Sequence, residues 1–597
     1  MNRINDKPSK PANLLRRAVF LLSLLLFLTA CIGAPAERMW LNAPGWSRAQ
    51  KIETVGKSYH VPIAVDGEGN IYVLIVNAGE EGQPRVIALD RHGELRWSSN
   101  FQDNPYANGS KPKLVWAEHS LTAFWIHRGT LVRAELSPAG EALTPPEIIS
   151  GDASVSTYDV AVNPAGSISI WFSGSKDEPG VYALGGNGTG DDPSLVDPEG
   201  IRPEIAIDSR GDLHAVWAYH PAVQQESEFI FATLPGGSIE DSKEIIRVDP
   251  SLRTSDEVMG PWLGFDGEYG YVLWTTVIRT GLRAGEIESM SVSCRLDGTA
   301  GVEARERLFI PTAFDLPYAD REGSRILAGA RVPWGTGGAS TDNTRDLFPS
   351  PSEGGELAVA LRGRVNTRSG QTQSQIGLVF FRAGAPQGYQ LLSFTSTASI
   401  HPYVVNDADG HLYATWLEIT DVSTYTIYLA GTSLDLRETL GHIISSDVRT
   451  MVFDTLFGLV SGTVLVPITL LWLLVPIVLL GISSFFRRGE THFLETRSFI
   501  SLLLSLGAYW LTKLALFPAL LHKVPFAAWI PIIPPWLELP LRIGVPTAIA
   551  LLSIFSAWRF MARSDHGSPI FFVIVYGLFD GLLTLSIYGV YMLGLGS

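Results

Sequence analysis

The sequence predicts an all-β propeller of seven blades followed by an α-helical transmembrane bundle of four helices, and three observations carry that prediction. A hairpin motif recurs through residues 50–446, the composition turns sharply apolar from about 451, and the chain opens with a basic segment followed by an apolar run. At 597 residues the chain exceeds what one hydrophobic core supports, so separate units are required. The 58 Gly, 37 Pro and 16 Trp suit a turn-rich β region, and the positive mean hydropathy adds long apolar spans. A formal net charge of -15 argues against a nucleic-acid surface, which needs clustered Lys and Arg.

Each repeat begins with a β-rich stretch ending in Asp or Asn, passes a tight turn and a Gly, and continues as an alternating strand that often ends in Trp. Pro203-Glu204-Ile205-Ala206-Ile207-Asp208 is followed by Gly211, Leu213, His214 and Trp217. Residues 402–407 repeat that spacing, with Asp407, Gly410, Leu412, Tyr413 and Trp416. Looser copies centre on Asp66 with Gly69, on Asn163 with Gly166, and on Asp266 with Gly270; degenerate ones lie near Ala117 with Trp125 and before 356–361. Two further strand-like segments follow each hairpin, giving the four strands of a blade. In the fourth unit these are 205–208, 213–219, 229–234 and 244–248. Seven units result, although six or eight also fit the degenerate copies. Residues 51–55 are an expected outer strand closing the ring, and 311–355 reads as a polar insertion and candidate functional loop.

These repeats resemble the sialidase-like, BNR-type propeller repeats over most of residues 60–446. The resemblance implies that Asp and Gly shape each hairpin while the aromatic packs between blades. On that reading Asp66, Gly69, Asp208, Gly211, Asp266, Asp407 and Gly410 are structural turn residues, the Asp accepting backbone N–H groups and the Gly supplying a left-handed residue. Trp125, Trp171, Trp217, Trp274 and Trp416 are expected between blades. A sialidase would further need an arginine cluster, a Tyr–Glu nucleophile pair and an Asp acid. Arg331-Val332-Pro333 resembles that family's Arg-Ile-Pro signature but falls in a late blade, where the family has it in the first. Arg202-Pro203 reads as a blade-to-blade linker. No catalytic residue is assigned from the sequence, and whether the protein is an enzyme stays open, with the reading leaning to a non-enzymatic role.

No metal or cofactor is expected. Asn406 to Gly410 resembles part of a calcium loop, but the distal acidic position is Leu417, and no His-Glu-x-x-His or Cys-x-x-Cys element occurs. The glycine run 185–190 lacks the Lys of a phosphate loop.

At the amino terminus, Arg3, Lys7, Lys10, Arg16 and Arg17 precede an apolar run over 18–30, the layout of a secretory signal. Leu28-Thr29-Ala30-Cys31 resembles the bacterial lipobox, which implies lipidation at Cys31; a retained signal anchor is the alternative. Residues 1–30 are thus an export signal and 31–49 a linker.

Within 451–597 four spans are drawn at 458–485, 499–521, 541–561 and 569–593, each long enough for ~30 Å of hydrocarbon. Arg487 and Arg488 follow the first, and Arg559 and Arg563 separate the third and fourth, so the positive-inside rule places both loops in the cytoplasm. The propeller and C-terminus are then extracytoplasmic, on an integral protein of the cell membrane. Lys513 and Asp580 fall at comparable depth and are expected to pair inside the bilayer. The functional expectation is a membrane-anchored binding, sensing or scaffold propeller for an extracellular ligand, glycan or protein. The alternatives are a cell-surface sialidase-like glycoside hydrolase and a subunit of an integral-membrane complex.

Overall fold

The computed structural model describes most of residues 43–592; the longer stretches outside its description are 185–192, 220–227, 311–330, 335–343, 487–495 and 526–534, with shorter ones between. Cys31, Arg487, Arg488 and Arg563, on which the export and topology expectations rest, lie outside the described residues. The chain divides into two units, Arg38–His442 on one side and Met1–Glu37 with Ile443–Ser597 on the other.

The first unit is a seven-bladed β-propeller. Seven antiparallel sheets follow one another, and in five of them the strands pair in simple sequence order from the axis outward. The innermost strands are Ile63–Val65, Ser110–Ala117, Val155–Val162, Gly200–Ile207, Glu257–Phe265, Arg345–Pro349 and Ser399–Asn406, which define blades one to seven. The ring is closed by Gln50–Val55, the outermost strand of blade seven, which pairs with Thr424–Gly431. The sequence motif thus marks blades correctly, and the six- and eight-blade alternatives fall away.

Alternating strands present one apolar row to each neighbouring blade, so the core is not one mass but a cluster at every blade junction. Trp125 lies in the cluster between blades one and two, Trp171 and Trp217 between three and four, Trp274 between four and five, and Trp416 between six and seven. Ile427 and Leu429 of blade seven pack against Ile71 and Val73 of blade one, sealing the ring.

The supposed insertion 311–355 is corrected in part. Arg345–Pro349 is the innermost strand of blade six, and Val332–Pro333 adds a fifth, peripheral strand to that blade. The polar composition hid them because both strands are short. Arg202-Pro203 is likewise no linker: it sits inside the innermost strand Gly200–Ile207.

The second unit contains four helices long and apolar enough to cross a membrane, with candidate spans Val466–Phe486, Phe499–Leu516, Leu539–Met561 and Pro569–Gly589. The first begins later than the sequence suggests, because Pro467 ends the helix Ser445–Val464 in a 3-10 turn. Pro518 similarly separates Thr496–Leu516 from a short turn, Ala519–His522. Close approach within the bundle depends on glycine. A Cβ on Gly462 would strike the Leu585 carbonyl, and one on Gly581 the Thr469 side chain. Lys513 and Asp580 are fully buried, with Nζ 2.5 Å from Oδ2. Tyr509 donates to the same oxygen at 2.7 Å, and Lys513 also donates to Thr584 Oγ1 at 2.7 Å.

Candidate ligand site at the propeller mouth

The conspicuous side chains of the repeat do not form the site. Asp66, Asp208, Asp266 and Asp407 sit at the turn between the first and second strands of their blades. There Asp66 Oδ1 accepts the N–H groups of Glu68 and Asn70, each at 2.9 Å, and Asp407 Oδ1 those of Asp409 and His411 at 3.0 and 2.8 Å. A second-strand residue donates to the other oxygen: Tyr72, Tyr271 and Tyr413 through their hydroxyls, and His214 through its ring. Gly69, Gly211 and Gly410 hold φ of +81°, +87° and +81°, which excludes most side chains. In blade five the left-handed turn residue is Gly267, whereas Gly270 lies in the strand against Phe231. Asp407, Asp409 and His411 bring three ligand-type atoms within 4.8 Å of one another, but at an exposed turn whose Asp407 already serves the backbone.

The opposite end of the innermost strands is different. The register slips between Ser110 and Lys113, Ile201 and Glu204, Met259 and Trp262, Arg345 and Phe348, and Ile400 and Tyr403, one bulge per blade. Left-handed residues occupy these bulges: Lys111, Arg202, Gly260, Asp346 and His401. Non-glycine residues hold φ of +50° to +55° at a cost of order 1 kcal/mol each, and the repeated bulge aims the following side chains inward.

Those side chains meet across the axis. Lys113 of blade two lies 2.5 Å from Asp159 Oδ1 of blade three and 3.9 Å from Glu204 Oε2 of blade four. Its Nζ is also 5.7 Å from the ring centroid of Phe348 in blade six, which packs tilted against Tyr403 of blade seven with ring centroids 3.9 Å apart. His60, just before the first strand of blade one, donates from Nδ1 to Pro402 O, 3.0 Å away, and meets the His401 ring edge-on at 4.9 Å. Asp346 Oδ2 is 3.1 Å from Arg362 Nε and 4.0 Å from His401 Nδ1. Six of the seven blades therefore contribute to one cluster.

Electrostatics divide the cluster into two halves. Around Lys113, burial disfavours the ammonium, but Asp159 and Glu204 outweigh it and hold the Lys113 pKa above its ordinary value. Glu204 is raised well above the usual carboxylate range by burial and by the Asp159 charge beside it. Around Asp346, burial raises the carboxyl pKa against the pull of His60 and Arg345. Burial, with His60 and Arg345 adding to it, lowers His401 to about 3, so that imidazole is neutral at physiological pH. Burial likewise lowers His60.

The sequence reading did not find these residues. The signal was present: a proline stands five positions ahead of the turn residue in Lys111-Pro112, Arg202-Pro203, Gly260-Pro261 and His401-Pro402. Arg331, by contrast, lies on the blade perimeter, paired with Glu356 and over the Phe380 ring at 3.9 Å, and does not join the axial group.

No protein-family model matches the chain, and no curated protein sequence matches it. Among solved structures, several are similar to it. The polysaccharide lyase Uly1 aligns at 8% identity and a TM-score of 0.40, over 62% of this chain and 89% of its own. A PL25 ulvan lyase aligns at 10% identity and a TM-score of 0.40, over 68% and 99%. AofleA from Arthrobotrys oligospora aligns at 10% identity and a TM-score of 0.32, over 58% and 90%.

Proposed function

We propose that this protein is a membrane-anchored, extracytoplasmic propeller that binds a ligand, glycan or protein, at the axial mouth built around Lys113, Asp159, Glu204, Asp346 and His401. One observation carries the reading. Strained bulges in successive blades bring charged and aromatic side chains from six blades to one point. The basic loop residues Arg487, Arg488, Arg559 and Arg563 support a cytoplasmic side opposite the propeller. The basic-then-apolar leader and Cys31 support export and lipidation.

The sialidase-like rival loses its best sequence support, because Arg331 sits on the perimeter in an ion pair with Glu356. A glycan-array comparison of the full chain in detergent with its Lys113→Met variant tests the binding reading. Ligands retained by the native chain and lost by the variant support it; identical profiles sink it.

A further inference from the structure

Blades two and four each place a cation at the left-handed bulge, Lys111 at φ 50° and Arg202 at φ 54°. Both residues are exposed along much of their length, while their charged ends are held in by backbone carbonyls: Lys111 Nζ donates to Ser156 O at 2.8 Å, Arg202 Nη1 to Val258 O at 2.6 Å. Neither forms an ion pair with a carboxylate among the described residues. The acids beneath them are already committed. Asp159 accepts from Lys113, from the Val160 N–H and from the Ile205 N–H, and Glu204 lies beside Lys113. Lys111 has its pKa lowered by burial and then by the Arg202 charge, with Glu204 opposing, so the two cations sense one another. In a chain of formal net charge -15, two neighbouring cations without a carboxylate partner, held in strained backbone, run against the overall balance.

We infer that Lys111 and Arg202 form a receptor for an oxyanion on the ligand, a carboxylate or sulfate carried by an acidic sugar. The inference rests on the mouth being a binding site. Bidentate guanidinium contact and a point-like ammonium suit either oxyanion.

The test is calorimetric titration of the full chain in detergent with glucuronate, glucose 6-sulfate and glucose. Binding of either anion in preference to glucose is expected, with about ten-fold weakening for each of Lys111→Gln and Arg202→Gln and further weakening by salt. Arg247→Gln, which removes a rim cation paired with Glu228 and Glu244, is expected to leave the affinity unchanged. Preference for glucuronate identifies a carboxylate receptor, and preference for the sulfate a sulfate receptor. Absence of binding by both anions, or affinity untouched in the Lys111→Gln/Arg202→Gln double variant, overturns the inference. A neutral glycan that is lost in Lys113→Met but retained by that double variant overturns the oxyanion receptor while leaving the mouth as a binding site.

Discussion

Lys113 of blade two holds Asp159 of blade three at 2.5 Å, and the second oxygen of that carboxylate takes the Ile205 N–H of blade four at 2.7 Å. One buried carboxylate thus ties three blades together at the axis. Removing the cation leaves Asp159 and Glu204 facing each other without compensation. Lys113→Met is expected to lower stability by about 3 kcal/mol, read as a shift in the denaturation midpoint. A double variant with Glu204→Gln should recover part of that loss, because one of the two acids no longer ionises.

The pH dependence of stability has two limbs of opposite sign. His401 has a folded pKa of about 3 against an ordinary 6.5, so between these values the unfolded chain binds more protons and stability falls as the pH drops from 6.5 towards 3. The lowered His60 acts in the same direction. Glu204 is raised above its ordinary 4.5, so the folded chain holds the extra proton and stability falls as the pH rises above that value. His401→Asn should flatten the acid limb while tolerating φ 51°, and Glu204→Gln should flatten the other. Midpoints measured across pH check both slopes.

The buried Lys513–Asp580 pair predicts a strong non-additivity. Asp580→Asn leaves an ammonium without its carboxylate between helices, and the thermal midpoint in detergent should fall by several degrees. Asp580→Asn combined with Lys513→Met should lose less than Asp580→Asn alone.

Glycine contacts in the same bundle are expected to be intolerant of bulk. Gly462→Val and Gly581→Val force a side chain into the Leu585 carbonyl or the Thr469 side chain. Faster limited proteolysis of the membrane unit should follow, with the propeller transition unchanged.

Much of the propeller was legible because turn chemistry is local. Asp208 and Gly211 specify a hairpin from adjacent residues, and the predicted strands of blade four agree with Gly200–Ile207, Leu213–Tyr219, Glu228–Leu234 and Lys243–Val248 apart from their ends. Blade six was obscured because its inner strand Arg345–Pro349 is five residues long inside a polar stretch. The mouth was illegible for a different reason: Lys113, Asp159, Glu204, Phe348 and Tyr403 are distant in sequence and meet only when the ring closes. Their prolines marked the bulges, but a proline alone does not say which way its neighbour points.

Membrane orientation can be read by cysteine labelling in intact cells. Ser423→Cys, at an exposed hairpin of blade seven, should react with an impermeant maleimide, while Arg488→Cys should react only after lysis.

The central claim, that the axial mouth is the binding surface, is tested most directly by comparing the native full chain with a Lys113→Met/Glu204→Gln variant on one array of glycans and extracellular proteins. The account predicts at least one ligand bound by the native chain and by Arg247→Gln but lost by the mouth variant, with its propeller still folded. Equal binding of every ligand by the native chain and the mouth variant would contradict it.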